Sequence, residues 1–287
     1  MKKLVLLLLI ICASCKDTTT SKGQSVLLGS FKYSANAQTI ISVHRGGKAI
    51  AGYPENCLET LQYVNERIPA IFEIDIAQTK DNVLVLMHDD NLERTTTGQG
   101  ELNAFTYPEL KNFDLVDDFG TATVFKIPKL EDVLLWAKEN KVVLTIDIKR
   151  SVNVKNVVDL INEVEAWDIS IIITYDLKQA QRAFKLAPDL LLSVSARNQE
   201  ELDWLINSNI PTENMLAFTG TKHSTPELYK KIHSYGIKCI LGTLGNLDQQ
   251  AKSRGDHLYK EWVSKGIDVI ATDRPFEVAT VLKLKKQ

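Results

Sequence analysis

The chain has few cysteines and almost no net charge. Of its 287 residues only four are cysteine, and two of these, Cys12 and Cys15, lie in an N-terminal apolar segment. The other two, Cys57 and Cys239, do not have the spacing of a zinc site or a redox pair, so we expect both to be buried thiols. Lysine and arginine total 34 against 36 acidic residues, and the net charge of −2 gives no basic surface for nucleic acid.

The composition is otherwise ordinary for a globular protein. Hydrophobic residues make up 44% of the chain and charged residues 24%, which excludes a largely disordered or collagen-like chain. A chain of this length can form one large domain or two small ones, and it can bury a core without disulfides.

The N-terminal apolar segment predicts a secretory signal over residues 1–14. Two lysines precede the apolar run 4–11, and small residues stand directly before Cys15. The run is too short to span a bilayer stably. The junction resembles the lipobox of bacterial lipoproteins, although Cys12 stands where that pattern prefers leucine.

The lipobox resemblance implies that the mature chain begins at a lipidated Cys15, which would tether it to a membrane without spanning it. A simple secreted protein, cut near Ala13, is the alternative. In both cases we expect export, to the periplasmic or outer surface of a bacterial cell envelope. Residues 15–36 are rich in serine, threonine and lysine and predict a flexible tether, which leaves residues 37–287 for the folded domain.

Short β-branched runs alternate with longer helical stretches from Thr39 onward, which predicts an α/β fold with a parallel sheet covered by helices. The nine candidate strands are 40–44, 71–77, 83–88, 142–149, 169–175, 190–195, 215–219, 238–243 and 268–272.

The second and third candidate strands are too close together for a parallel crossover, which needs about a dozen residues, so they must form a hairpin. Eight strands then remain to be parallel, the number that closes a TIM-type (β/α)8 barrel of about 250 residues. A doubly wound open sheet is the alternative, although its glycine fingerprint is missing. A two-residue hairpin loop would place Asp75 opposite His88, and a four-residue loop would place Glu73 there.

The stretch 90–125 after the hairpin is too long for an ordinary loop. It predicts a rim or lid over the substrate, or else a surface segment without a role in the site.

Polar residues gather at the ends of the candidate strands, where a barrel of this type has its active site. They are His44, Arg45, Glu73, Asp75, His88, Asp89, Asp147, Lys149 and Asp273. An inward carboxylate without a partner costs several kcal/mol, so a purely structural core would not place acids there.

The residue types at these positions indicate metal-assisted chemistry. Glu73, Asp75 and Asp147 offer only oxygen ligands, which suit one hard divalent cation such as Ca²⁺ or Mg²⁺ better than zinc. Histidine titrates near neutral pH, so His44 and His88 are suited to act as a general acid and a general base.

Two cations complete the set. The planar guanidinium group of Arg45 can form paired hydrogen bonds with a phosphate, and the ammonium group of Lys149 can add a positive charge. The pattern therefore predicts metal-assisted phosphoester chemistry on a small-molecule substrate. Asp273 has two interpretations, as a cap of the last helix or as a site residue. Glu55 and Asn56 could likewise cap a helix near residue 57 or support the metal ligands.

Several short motifs can be compared with known families. They are His44-Arg45-Gly46, Pro54-Glu55-Asn56, Glu73-Ile74-Asp75, Thr79-Lys80-Asp81, His88-Asp89, Arg94 to Thr97, Ile127-Pro128 with Leu130-Glu131, Ile146 to Lys149, and Thr272-Asp273-Arg274-Pro275. Over nearly the whole mature domain this pattern resembles the glycerophosphodiester phosphodiesterase family.

The resemblance implies a TIM-type barrel that binds one divalent cation and hydrolyses glycerophosphodiesters to glycerol 3-phosphate and an alcohol. It implies the acid/base role for the two histidines, the metal-ligand role for the three acids and a phosphate contact for Arg45, while in some relatives His88 touches the metal. The mechanism implied begins with attack by the substrate's own neighbouring hydroxyl on phosphorus, and water then opens the resulting cyclic phosphate.

Two departures distinguish this chain from the family pattern. Asp147 stands where the family usually has glutamate, so this acid must reach about a methylene further or act through water. Residues 241–246 replace a common Trp-Thr pair, which is expected to open that wall of the pocket.

Because of these two departures, two other functions remain open for the chain. A phospholipase acting on intact phosphoinositide or sphingolipid headgroups would suit the altered wall and the membrane tether. A binding lipoprotein without turnover would suit the shorter acid. As partners we expect the phosphodiester substrate and, through the lipid anchor, a membrane, but no protein and no nucleic acid.

Overall fold

The computed structural model describes residues 24–286 and contains all nine expected strands. The strands are β1 (Ile40–Val43), β2 (Ile71–Gln78), β3 (Leu84–Leu86), β4 (Leu144–Ile148), β5 (Ser170–Ile173), β6 (Leu191–Ser195), β7 (Met215–Phe218), β8 (Cys239–Gly242) and β9 (Val269–Thr272). The helices are α1 (Leu27–Ser30), α2 (Leu58–Asn65), α3 (Tyr107–Leu110), α4 (Leu130–Asn140), α5 (Val154–Glu163), α6 (Leu177–Leu186), α7 (Gln199–Ile206), α8 (Pro226–Ser234), α9 (Asn246–Arg254), α10 (Leu258–Ser264) and α11 (Pro275–Leu282). The predicted signal peptide and Cys15 lie outside the described residues.

Eight of the strands are parallel and form a closed barrel, as the sequence predicts. The sheet runs from β1 through β9, β8, β7, β6, β5 and β4 to β2, and β1 also pairs with β2. This last pairing closes the barrel and excludes the doubly wound open sheet. The remaining strand, β3, is antiparallel to β2 and lies outside the barrel.

The hairpin has a register that lies between the two predicted ones. Ile76 pairs with Leu86, and the N–H of Met87 donates to the carbonyl of Asp75 (3.0 Å). The expectation that an acid lies directly opposite His88 is therefore wrong. The reason is a three-residue loop in which Asn82 takes a left-handed conformation (φ 66°), a loop type that neither expectation considered.

The two faces of β2 have different surroundings, which follows from the alternation of side chains along a strand. Phe72, Ile74 and Ile76 are fully buried in the core between barrel and helices. Glu73 and Asp75 therefore point to the barrel interior, where they are available to the site.

A short N-terminal helix closes the bottom of the barrel. Leu27 and Leu28 of α1 and the following Phe31 are buried against interior residues of six strands. The sequence predicts a flexible tether up to residue 36, but the part of it that the structure describes packs on the barrel. Apolar burial of these three side chains explains the difference, since removing them from water stabilises the packed segment.

The insertion 90–125 has a small core of its own. Leu92, Leu110 and Leu115 are buried together with Cys57 and Met87. Cys57 and Cys239 are both buried free thiols, as expected, and burial raises the pKa of Cys57 to about 12. Within residues 24–286, no helix has the length and apolarity needed to cross a bilayer.

The rim formed by this insertion is attached to the loop after β1. The carboxylate of Asp117 accepts a hydrogen bond from the N–H of Gly52 (2.8 Å), and that of Asp118 accepts one from the N–H of Ala49 (2.5 Å). These contacts place the insertion beside the mouth of the barrel.

Candidate active site

The turn after β1 brings a backbone donor to the acids of β2. Arg45 takes a left-handed conformation (φ 52°), and its N–H donates to Glu73 Oε2 (2.7 Å). Gly46 follows at φ 71°, and a Cβ there would lie 2.3 Å from Leu61 Cδ1. Only glycine allows the chain to pass this close to α2, so the His-Arg-Gly turn is fixed by packing as well as by its hydrogen bond.

Three acids on two neighbouring strands meet at the carboxyl-terminal mouth. Asp75 on β2 pairs in register with Asp147 on β4, and Glu73 precedes Asp75 on the same face. Carboxylate oxygens of all three lie within 4.8 Å of one another. The structure thus brings together the three residues that the sequence predicts as metal ligands.

The three acids repel one another when no cation is present. Burial, followed by the charges of Asp75 and Asp147, raises the pKa of Glu73 well above its ordinary value. Burial is also the main cause of the raised pKa of Asp147, where the hydrogen bond from Tyr175 acts in the opposite direction. A hard divalent cation fits this all-oxygen donor set, because its charge would offset the repulsion.

Each of these acids has one oxygen fixed by a different donor of the chain. Glu73 Oε2 accepts from the N–H of Arg45, Asp75 Oδ2 accepts from Asn56 Nδ2 (2.8 Å), and Asp147 Oδ2 accepts from the Tyr175 hydroxyl. Among the described residues, no hydrogen bond occupies the second oxygen of any of the three. Hydrogen bonds of this kind orient carboxylates toward a metal.

The Asn56 contact decides between two interpretations of the sequence. Besides donating to Asp75 Oδ2, its Oδ1 accepts the N–H of Asp75 (3.0 Å). The N-cap of α2 is Cys57, and neither Glu55 nor Asn56 caps that helix. Asn56 therefore supports a candidate metal ligand.

Both predicted histidines are oriented by a neighbouring carboxylate. His44 Nδ1 lies 2.7 Å from Asp273 Oδ1, and His88 Nδ1 lies 2.6 Å from Asp89 Oδ1. Donation of Nδ1–H to the acid leaves Nε2 of each ring as the atom that can accept a proton. The N-cap of α11 is Arg274, so Asp273 is a site residue in this structure and not the cap of the last helix.

The two supporting acids stay ionised. Burial alone would raise the pKa of Asp273, but the hydrogen bond and charge of His44 bring it below the ordinary value. The hydrogen bond from Arg94 is the main cause that lowers the pKa of Asp89, and His88 adds to it. Ionised partners hold the ring orientation of each histidine through the Nδ1 hydrogen bond.

Glu55 links the turn after β1 to the insertion. Its carboxylate accepts from Arg45 Nη1 (3.0 Å) and from Arg94 Nη2 (2.7 Å), while Arg94 Nε reaches Asp89 (2.5 Å). Burial would raise the pKa of Glu55, but the hydrogen bond from Arg94 and the charge of Arg45 lower it. This network connects the surroundings of both histidines.

One polar atom in this network has no partner. Arg45 Nε is buried and makes no hydrogen bond with the described residues, and it lies 3.9 Å from Asp75 Oδ2. A buried donor without an acceptor is costly.

A cleft of about 650 Å³ opens from the acids toward the surface. Asp75, His88, Asp147, Lys149 and Tyr175 are among its lining residues. His44, Arg45 and Glu73 do not line this cleft, but Glu73 belongs to the acid cluster with Asp75 and Asp147, which do, and the N–H of Arg45 donates to Glu73. The predicted site residues thus share one mouth of the barrel.

Sequence reasoning missed the role of Tyr175 and assigned none to Arg94. Tyr175 lies two residues after the end of β5, and its position close to a strand end is the signal that could have identified it. Arg94 had no such signal, because it lies in the insertion and one of its two acidic partners, Glu55, is 39 residues away in the chain.

Comparisons with known proteins agree with this geometry. Residues 44–277 match the model of the glycerophosphoryl diester phosphodiesterase family. The chain belongs to this family. Since its members are phosphoric diester hydrolases, the protein is an enzyme of that class.

Several relatives cover most of the chain. A glycerophosphodiester phosphodiesterase from Caldanaerobacter subterraneus is 24% identical over 83% of this chain and 95% of its own. The crystal structure of a family member from Parabacteroides distasonis has a TM-score of 0.82 and 32% identity, and the match covers 90% of each chain.

A third relative shows the same fold with a product bound. It is an Oleispira antarctica phosphodiesterase in complex with sn-glycerol 3-phosphate, with a TM-score of 0.70 and 19% identity, covering 89% of this chain and 99% of the other. The two solved structures share the barrel found in this chain.

Proposed function

We propose that the protein hydrolyses glycerophosphodiesters to glycerol 3-phosphate and an alcohol, with one divalent cation at Glu73, Asp75 and Asp147. The observation that carries the proposal is the acid cluster within 4.8 Å, at the same mouth as two carboxylate-oriented histidines. The product bound to the Oleispira antarctica relative has the chemistry expected for this reaction.

The three acids would hold the cation through the oxygens that the chain leaves without hydrogen bonds. A bound divalent cation supplies Lewis acidity to a phosphoryl oxygen and offsets negative charge that develops during phosphoryl transfer. Oxygen ligands favour Mg²⁺ or Ca²⁺ over softer metals.

Arg45 and Lys149 would bind the scissile phosphate. The guanidinium of Arg45 is held in place by Glu55, and its Nε lies 3.9 Å from Asp75 Oδ2 at the proposed cation site. Lys149 lines the cleft beside Asp147 and forms no ion pair within residues 24–286. Both groups would stabilise the charge on the phosphoryl oxygens.

His44 and His88 would move the protons of the reaction. One imidazole accepts at Nε2 the proton of the substrate's neighbouring hydroxyl as it attacks phosphorus, and the other donates a proton to the departing alkoxide. With the two roles exchanged, the pair would then activate the water that opens the cyclic phosphate to glycerol 3-phosphate. Asp273 and Asp89 hold the two rings so that each Nε2 remains available.

A product assay tests the proposal. The purified soluble part is incubated with glycerophosphodiesters of several alcohols, and release of glycerol 3-phosphate is measured with and without EDTA. We expect release that EDTA abolishes and that added Mg²⁺ or Ca²⁺ restores. Binding of these esters without any release would support the non-catalytic alternative and overturn the proposal.

We also propose that the protein is exported and anchored through a lipidated Cys15, as its leader indicates. Cell fractionation tests this: the native chain is expected with the membranes, and Cys15→Ala in the soluble fraction. An unchanged membrane association of Cys15→Ala would contradict a lipid anchor at this residue.

A further inference from the structure

The cleft that opens from the acid cluster is lined by charged side chains of both signs. Its charged lining residues are Asp75, Asp90, Asp147, Lys149, Arg150 and Arg182. Asp75 is buried at the inner end, whereas Arg150, after β4, and Arg182, on α6, are exposed at the outer end. Acidic side chains thus surround the proposed cation site, and Arg150 and Arg182 bring two positive charges to the exposed part of the cleft, where Asp90 contributes one negative charge.

The two outer arginines have no acidic partners. Within residues 24–286, Arg150 makes no side-chain hydrogen bond or ion pair, and Arg182 donates only to the side-chain oxygen of Asn153 (3.1 Å). By contrast, Arg197 and Arg274 each contact a carboxylate at 2.6 Å or less.

The Asn153 contact helps to position Arg182. Asn153 Oδ1 also accepts the N–H of Lys155 and so caps α5. An arginine that bonds a capping amide instead of an acid keeps its full positive charge available. Two such groups facing one cleft repel each other unless an anion lies between them.

Resting on the proposed function, we propose that Arg150 and Arg182 form a subsite for a second anionic group, carried by the alcohol part of the substrate. Arg150 is the third residue after Asp147, so their Cα atoms are at most about 11 Å apart. With the scissile phosphate at the acids, a short alcohol carrying a carboxylate or phosphate can reach the guanidinium groups.

The subsite has the chemistry for such a group. Guanidinium forks bind carboxylates and phosphates with paired hydrogen bonds, while two positive charges disfavour an alcohol that carries only an ammonium. Ser151 and Gln179 line the same cleft and can donate further hydrogen bonds.

Two matched substrates test the inference. The serine and ethanolamine glycerophosphodiesters differ by one carboxylate. We expect the wild-type protein to have a kcat/KM for the serine ester about fivefold or more above that for the ethanolamine ester, since charge-assisted hydrogen bonds form only with the former. In Arg150→Ala/Arg182→Ala this ratio should fall to about one.

A second substrate pair identifies the anionic group. Inositol glycerophosphodiesters with and without an additional ring phosphate report on phosphate recognition, and the serine pair reports on carboxylate recognition. A preference in either pair that the double variant loses supports the subsite.

Lys185→Ala is the matched control, because Lys185 is an exposed cation on α6 that does not line the cleft. It should keep the wild-type ratio. Hydrolysis of the esters without an anionic preference, or a preference that the double variant retains, would overturn the subsite and leave the proposed function intact. Failure of all esters to react would overturn the proposed function and the inference with it.

Discussion

The hydroxyl of Tyr175, two residues after the end of β5, donates a hydrogen bond to Asp147 Oδ2 on the neighbouring strand β4. Burial and the charge of Asp147 raise the pKa of Tyr175 above its ordinary value, so the hydroxyl remains a donor. Asp147 is shorter than the glutamate usual in the family, and the hydrogen bond from Tyr175 fixes one of its oxygens while the other remains available to a cation.

Tyr175→Phe is expected to weaken cation binding about tenfold, since hydrogen bonds to metal ligands contribute at this level. At saturating cation the kcat should change less, because the ring and the histidines remain. A titration of metal-stripped protein with Mg²⁺ or Ca²⁺ measures the shift. Tyr235→Phe, remote from the mouth, serves as control, and equal cation affinity of the two variants would contradict this role of Tyr175.

Replacement of either histidine is expected to abolish most turnover. His44→Ala and His88→Ala should each lower kcat by about 10²- to 10⁴-fold, the usual contribution of a general acid or base. Asp273→Asn should also lower kcat strongly, because its amide N–H can donate to His44 Nδ1 and the proton then stands on Nε2. Circular dichroism should show an unchanged fold, and nearly full activity in both histidine variants would exclude the acid/base assignment.

The acid cluster predicts how stability depends on pH without a cation. The raised pKa values of Glu73 and Asp147 mean that the folded state keeps protons that the unfolded state loses. As pH rises above the ordinary carboxyl range toward the raised values, this contribution to the free energy of unfolding decreases. Thermal unfolding in EDTA should show this loss, and Glu73→Gln should reduce it. Added Mg²⁺ or Ca²⁺ should stabilise the wild type more at pH 7 than at pH 5.

Helix α1 is expected to contribute to stability although it precedes the barrel. Leu27 is only 3% exposed, so Leu27→Ala should lower the free energy of unfolding by about 2 to 4 kcal/mol. Val26 is 63% exposed, and Val26→Ala should change it by less than about 0.5 kcal/mol. Urea unfolding of both variants makes the comparison, and equal stabilities would show that α1 does not close the barrel in solution.

The barrel could be predicted from the sequence because its strands are short apolar runs at regular spacing. The same periodicity placed Glu73 and Asp75 on the inner face of β2. Two features lay outside such patterns. Helix α1 is too short to show a helical period and is held by tertiary packing, and the register of the hairpin depends on the left-handed Asn82.

The acids and histidines of the candidate site were predictable because each stands on a strand or just after one. Most of their supporting contacts were not, since these join segments far apart in the chain, apart from the contact of His88 with the adjacent Asp89. Asp273 could be read as a helix cap until the structure placed it 2.7 Å from His44, and Arg94 showed no role until its contact with Glu55 was seen. Local patterns predict positions along an element, but they do not predict pairings between loops.

Equilibrium binding of a divalent cation to metal-stripped protein tests the central claim most directly. We expect one Mg²⁺ or Ca²⁺ per chain, release of glycerol 3-phosphate in proportion to occupancy, and loss of both in Glu73→Gln but not in the surface variant Glu213→Gln. Full phosphodiesterase activity in a protein shown to hold no divalent cation would contradict the account.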